Sequence, residues 1–139
     1  MIEHFSHITN SPEDSMVLGK KIATYLKKGD ILGLVGDLGT GKTTFVKGIL
    51  KGLKYNNTVT SPTFTLINEY NAAMNVMHVD FYREENIERW KNMGFEEMMY
   101  KSDLVIIEWA NLIPQLLPED ISTIRFEHIN LNERRIYLK

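Results

Sequence analysis

The sequence predicts an α/β fold with a mixed, mainly parallel central sheet and helices on both faces. Three observations carry this. A short apolar run, "ILGLVG" at residues 31–36, ends in a glycine-rich turn and continues at helical spacing. Strand-like and helix-like stretches alternate early in the chain, which is the pattern of βαβ units and a parallel sheet. Later strand-like runs follow one another without an intervening helix and add an antiparallel portion.

Taken in order, "EHFSHIT" (residues 3–9) reads as a short strand. "NSPEDSMVLGKKIATYLKKGD" reads as a helix. Ser11 suits the N-cap and Pro12 the first helical position, and Glu13 and Asp14 complement the positive helix end. Leu18, Ile22 and Leu26 form its apolar stripe, and Lys27, Lys28 and Gly29 its stop. "ILGLVG" is a buried strand. "KTTFVKGILKGL" is a second helix, with Phe45, Val46, Ile49, Leu50 and Leu53 on one face. Gly48 and Gly52 each cost about 1 kcal/mol against alanine there, so the helix is expected to approach the sheet closely. "TFTLINEY" and "NVMHVDFY" read as a hairpin turning at residues 71–75. The acidic, aromatic segment 84–101 reads as one or two short helices broken near Gly94. "LVIIEW" is the strongest buried-strand signal, and "STIRFEHI" and "RRIYLK" close the sheet.

The bulk properties narrow the function. At 139 residues the chain is read as one domain, residues 1–139. It has no cysteine, which excludes disulfides and thiolate metal sites. The start, "MIEHFSHITN", lacks a signal-peptide core, and no apolar run approaches the roughly 18 residues of a membrane span. A cytoplasmic protein without membrane contact is expected. The net charge of −2 disfavours strong direct binding of nucleic acid, which rewards a basic surplus.

Residues 36–43, Gly36-Asp37-Leu38-Gly39-Thr40-Gly41-Lys42-Thr43, match the phosphate-loop pattern of glycine, four residues, glycine, lysine and serine or threonine. Glycines let the backbone curl until successive N–H groups face one phosphate cluster. The following helix adds its positive end, with Thr44 in its first turn. Lys42 can reach β- and γ-phosphates, and the Thr43 hydroxyl can ligate Mg²⁺. The motif lies between a strand and a helix, the context it requires, and makes the fold P-loop NTPase-like, with three layers.

Such a loop needs a further acid at a neighbouring strand end. Asp80 ends "VMHVD" and Glu108 ends "LVIIE", and ligands of open α/β sheets sit outside the carboxyl ends of strands. One acid would stand on the metal side and the other would orient or deprotonate the attacking water. His78 shares a strand face with Asp80 and reads as structural. Strand alternation puts Trp109 opposite Glu108. "TSPTFTL" (residues 60–66) reads equally well as a γ-phosphate-sensing switch or a turn at Pro62. No Asn-Lys-x-Asp string is present to read guanine, and no arginine-rich lid suggests a small-molecule kinase.

"GDLGTGKTTFVKGIL", "SPTFTLINEY", "HVDFYR" and "IIEW" stand in the order and spacing of the bacterial TsaE (YjeE) family, which the chain resembles from about residue 11 to 135. The resemblance implies a small ATPase of tRNA threonylcarbamoyladenosine modification that binds ATP/ADP with Mg²⁺. It implies TsaD and TsaB as partners, with tRNA met only through that complex. It carries Asp37, Leu38, Gly39, Thr40, Gly41, Lys42, Thr43 and Thr44 over as nucleotide-binding, Thr43 and Glu108 as metal-side, and Asp80 and Glu108 as catalytic. Residues 61–65 match a switch-like motif and Trp109 a tryptophan beside the site. A basic residue near the carboxyl end, Arg134 or Arg135, touches nucleotide on this reading. Thr40 departs from the family's frequent alanine or glycine, and Ala110 from its proline. A small-molecule kinase with the same loop and a nucleotide-switched binding module are the competing functions.

Overall fold

A computed structural model describes residues 3–59, 61 and 65–138. Its strands are β1 (Phe5–Thr9), β2 (Asp30–Val35), β3 (Ile67–Asn71), β4 (Asn75–Asp80), β5 (Leu104–Glu108), β6 (Ser122–His128) and β7 (Arg134–Leu138). Its helices are α1 (Pro12–Ala23), α2 (Lys42–Gly52), α3 (Ile87–Asn92) and α4 (Phe95–Lys101). The strands form one sheet in the order β1-β7-β6-β2-β5-β4-β3. β2 runs parallel to both β5 and β6, and β4 runs parallel to β5. The flanks are antiparallel: β3 on β4, β7 on β6 and β1 on β7. The sequence is most continuously apolar in the central strands β2 and β5, which are covered on both faces. All five residues of β5 are buried.

Alternation along the strands divides the core in two. Leu32, Leu34, Leu104, Ile106 and Ile124 pack with Leu18 and Ile22 of α1 and with Phe45, Val46, Ile49 and Leu50 of α2. Met77, Val79, Val105 and Ile107 pack on the other face with Trp90, Phe95 and Met99 from α3 and α4. The three-layer α/β class expected from the sequence is the one observed.

Local signals act as their chemistry predicts at most ends. The Ser11 hydroxyl accepts the Asp14 N–H at 3.2 Å, and the Asp14 carboxylate accepts the Asn10 N–H at 2.9 Å, a reciprocal cap on α1. Gly94 takes φ 78° and separates α3 from α4. α1 stops at Ala23, earlier than the lysine-glycine signal, because Thr24 caps it: its hydroxyl donates to the Lys21 carbonyl at 2.7 Å. Leu26 stays buried in the turn that follows. β3 starts at Ile67, after Leu66 takes a left-handed φ of 67°. Thr63 and Phe64, expected at the head of that strand, lie outside the described residues.

The glycines of α2 require a correction. They bring it close to α1, not to the sheet. A Cβ on Gly48 would run into the Met16 carbonyl, one on Gly52 would lie 2.6 Å from the Ala23 Cβ, and one on Gly19 would meet the Phe45 carbonyl. The sheet-facing positions of α2 are its large apolar residues. The glycines, four apart, line the side that faces the other helix.

Candidate functional site

The loop between β2 and α2 is shaped by residues that a side chain would disrupt. A Cβ on Gly36 would lie 2.6 Å from the Phe126 carbonyl oxygen. Gly39 and Gly41 take φ 76° and 98°, a region that penalises any Cβ. Thr40 is buried, and its hydroxyl donates to the Asp37 carbonyl at 2.7 Å, fastening the loop across its own turn. The residue that departs from the family's small side chains is therefore a brace.

Lys42, the first residue of α2, is only 5% exposed. Its ammonium donates to the Gly36 carbonyl and, at 2.9 Å, to the Asp37 carbonyl. It also lies 4.3 Å from the centre of the Trp109 ring, a cation–π distance. Burial pulls its pKa below the ordinary lysine value, and the charges of Glu108, Asp80 and Asp37 oppose that pull. The loop and the ends of β4 and β5 thus set a partly desolvated cation within range of three carboxylate charges.

Asp80 and Glu108 are register partners at the ends of β4 and β5, and both side chains are buried. They share the sheet face under α2, because Ile106, two residues before Glu108, packs in that layer. The Thr43 hydroxyl donates to Glu108, 3.2 Å from each carboxylate oxygen. The Tyr82 N–H donates to Asp80 Oδ1 at 2.7 Å, which orients that carboxylate. His78 Nε2 lies 2.6 Å from Glu108 Oε2. The sequence read His78 as structural; the fold places it on the acid nearest Thr43.

A cavity of about 430 Å³ opens over this group. Residues 38–44, Ser61, Asp80, Glu108, Trp109 and Arg134 line it, with Ser11 and Ser15 from the start of α1. Asp37 does not line it: its side chain is exposed and it serves the loop through its carbonyl. Arg134 reaches the loop, with Nη2 3.4 Å from the Gly39 carbonyl, and its Nη1 is held by the carbonyls of Asn130, Leu131 and Glu133. Arg135 stands one position on, opposite Ile8 and Glu127 in the register, and does not line the cavity.

Trp109 packs against the layer opposite Glu108, as alternation predicts, but β5 ends at Glu108 and the left-handed φ of 60° at Trp109 also brings its ring to the site. Its N–H donates to the Leu34 carbonyl at 2.9 Å while its ring turns over Lys42 and against Tyr82, 4.8 Å between ring centres. The contribution of the α1 start carried no sequence signal beyond its capping pattern. Most of the 60–66 stretch, namely Thr60 and residues 62–64, lies outside the described residues. Thr65, within it, donates through its hydroxyl to the Asn68 side chain at 2.7 Å.

A glycine loop between strand and helix, a buried lysine and a threonine-bound carboxylate on the neighbouring strand define a P-loop NTPase-like domain. The comparisons with known proteins narrow this class. Residues 9–136 match the family model described as "Threonylcarbamoyl adenosine biosynthesis protein TsaE". The chain is 40% identical over 129 residues to the tRNA threonylcarbamoyladenosine biosynthesis protein TsaE of Bacillus subtilis, covering 92% of this chain and 80% of that one. It is 33% identical to the TsaE of Treponema pallidum, covering 93% and 96%. The crystal structure of Bacillus subtilis YdiB superposes with a TM-score of 0.84 at 34% identity, over 99% of this chain and 86% of that one. The chain belongs to the TsaE family.

Proposed function

We propose that this protein is the ATPase of a tRNA threonylcarbamoyladenosine modification system, binding and hydrolysing Mg-ATP to support turnover of a TsaD–TsaB threonylcarbamoyl-transferase core. The observation that carries the reading is the Thr43–Glu108 hydrogen bond beside Asp80, at the mouth of a glycine loop. Family membership supplies the pathway. No helix among the described residues is long and apolar enough to cross a membrane.

The residues fit the group they would hold. Gly39 and Gly41 have left-handed backbones that free loop N–H groups for an anion. Thr43 and Glu108 form an oxygen-only donor set, which suits a hard cation that takes its remaining ligands from phosphates and water. Mg²⁺ bound there would neutralise charge on the β- and γ-phosphates. Lys42 would exchange the Gly36 and Asp37 carbonyls for phosphate oxygens. Asp80, oriented by the Tyr82 N–H, would position the attacking water or accept its proton. Arg134 borders the same cavity and would contact nucleotide.

Phosphate release by the full chain, alone and with the TsaD–TsaB pair of the same organism, tests the reading, with modified tRNA followed over many turnovers. Slow hydrolysis alone, acceleration by the pair and loss of both in Lys42→Ala are expected. Unchanged phosphate release in Lys42→Ala, or multiple-turnover tRNA modification without this chain, would overturn it.

A further inference from the structure

We propose that His78 is a positioning residue for the metal-side carboxylate, setting which lone pairs Glu108 presents at the mouth of the loop. The inference rests on the reading of Glu108 as a Mg²⁺ ligand. His78 is fully buried on β4, between β3 and β5, and Nε2 meets Glu108 Oε2 at 2.6 Å. A carboxylate accepts, so the hydrogen is on Nε2. The other ring nitrogen, Nδ1, has no hydrogen-bond partner among the described residues. An imidazole placed in this layer only to fill space is costly, because an unmet buried polar atom has no compensation. Aliphatic residues occupy equivalent inward positions nearby, Val76 on the same strand and Leu104 and Ile106 on the next. What the imidazole adds over those residues is the hydrogen bond to Glu108.

That bond has a directional consequence. Glu108 is otherwise bridged symmetrically by Thr43, 3.2 Å from either oxygen. His78 breaks the symmetry by occupying Oε2, and leaves Oε1 with the greater share of free lone pairs beside Thr43. A carboxylate so held cannot rotate into the pocket or away from it without losing a short bond to a buried partner. Groups behind metal ligands commonly act this way, and their loss costs about 10–100-fold in metal affinity.

The test exploits the unused Nδ1. In His78→Gln the side-chain amide nitrogen falls near the place of Nε2 and can still donate to Glu108. In His78→Asn it falls near Nδ1 and is too short to do so. ADP affinity is measured by calorimetry on the full chain across a Mg²⁺ titration and again in chelator, with melting curves to confirm folding. Expected are chelator affinities within about twofold for all three proteins, a Mg²⁺ half-saturation raised about tenfold or more in His78→Asn, and near-parental Mg²⁺ dependence in His78→Gln. Parental Mg²⁺ dependence in His78→Asn, equal losses with and without Mg²⁺, or a His78→Gln protein that folds yet matches His78→Asn would each overturn the inference. A parental protein whose ADP affinity ignores Mg²⁺ would instead refute the metal reading beneath it.

Discussion

The Lys42 ammonium rests 4.3 Å from the centre of the Trp109 ring while its hydrogens are donated to the loop's own carbonyls. The lysine is thus held against an aromatic face, and on the proposed reading it would leave these contacts to meet a phosphate.

This relationship makes Trp109 a reporter. ADP binding should draw Lys42 off the indole and change tryptophan emission. Trp90, fully buried against Phe81 and Phe95, should contribute a constant background. In Trp109→Phe the emission change should vanish, while calorimetric ADP affinity falls less than about tenfold, since a cation–π contact is worth about 0.5–2 kcal/mol. An undiminished emission change in Trp109→Phe would refute the assignment.

The paired acids lead to a second prediction. Asp80→Asn and Glu108→Gln keep the shapes of their side chains, and the Glu108→Gln carbonyl still accepts from His78. Each should lower ATP turnover by about 100–1000-fold, the 3–4 kcal/mol typical of one electrostatic group at a transition state. ADP affinity should survive better than in Lys42→Ala, because the loop N–H groups remain. Turnover at the parental rate in both variants would remove the two residues from the mechanism.

How much of this was legible beforehand follows from the range of each interaction. The glycine loop, the buried strands and the strand-end acids are local patterns whose chemistry is complete within a few residues. They brought Lys42, Thr43, Asp80 and Glu108 to one place because a parallel sheet aligns its strand ends. Trp109 packs on the side that alternation predicts, but its reach over Lys42 was not legible, because no local signal marks the left-handed turn after β5. His78 was undervalued because its partner is 30 positions away, in the neighbouring strand. The choice between Arg134 and Arg135 depended on the register of β7, which is set by pairing with β1 and β6. The helix approached by Gly48 was invisible for the same reason: a glycine announces a close neighbour without naming it.

That neighbour supplies a stability prediction. On an open helix surface Gly48→Ala would gain about 1 kcal/mol. Here the added Cβ meets the backbone of Met16, which no side-chain rotation relieves. Overpacking of this kind costs about 1–3 kcal/mol and should win. Urea unfolding should show Gly48→Ala less stable than the parent by up to about 2 kcal/mol. The exposed Lys51→Ala, on the same helix, should stay within about 0.5 kcal/mol. A stabilised Gly48→Ala would mean that the two helices are not locked together.

Lys42 should cost the nucleotide-free protein stability in a way that pH reveals. Its pKa is lowered on folding, chiefly by burial, so the folded state releases this proton at lower pH than the unfolded state does. Below the folded pKa the lysine is charged in both states and the full desolvation cost is present. As pH rises through the folded pKa toward the unfolded value of 10.5, the folded chain holds fewer protons than the unfolded one, and stability rises. Lys42→Met keeps the length of the stem and removes the charge. At pH 7 without nucleotide it should melt no lower than the parent, although its ADP affinity is lost. The difference in melting temperature should narrow as pH increases, because only the parent gains from deprotonation. Other lysines and tyrosines titrate in both proteins and cancel in the comparison. Parallel melting curves from pH 7 to 10 would show that burial of the ammonium carries no cost, and a Lys42→Met protein that melts well below the parent at pH 7 would show that its bonds to Gly36 and Asp37 outweigh it.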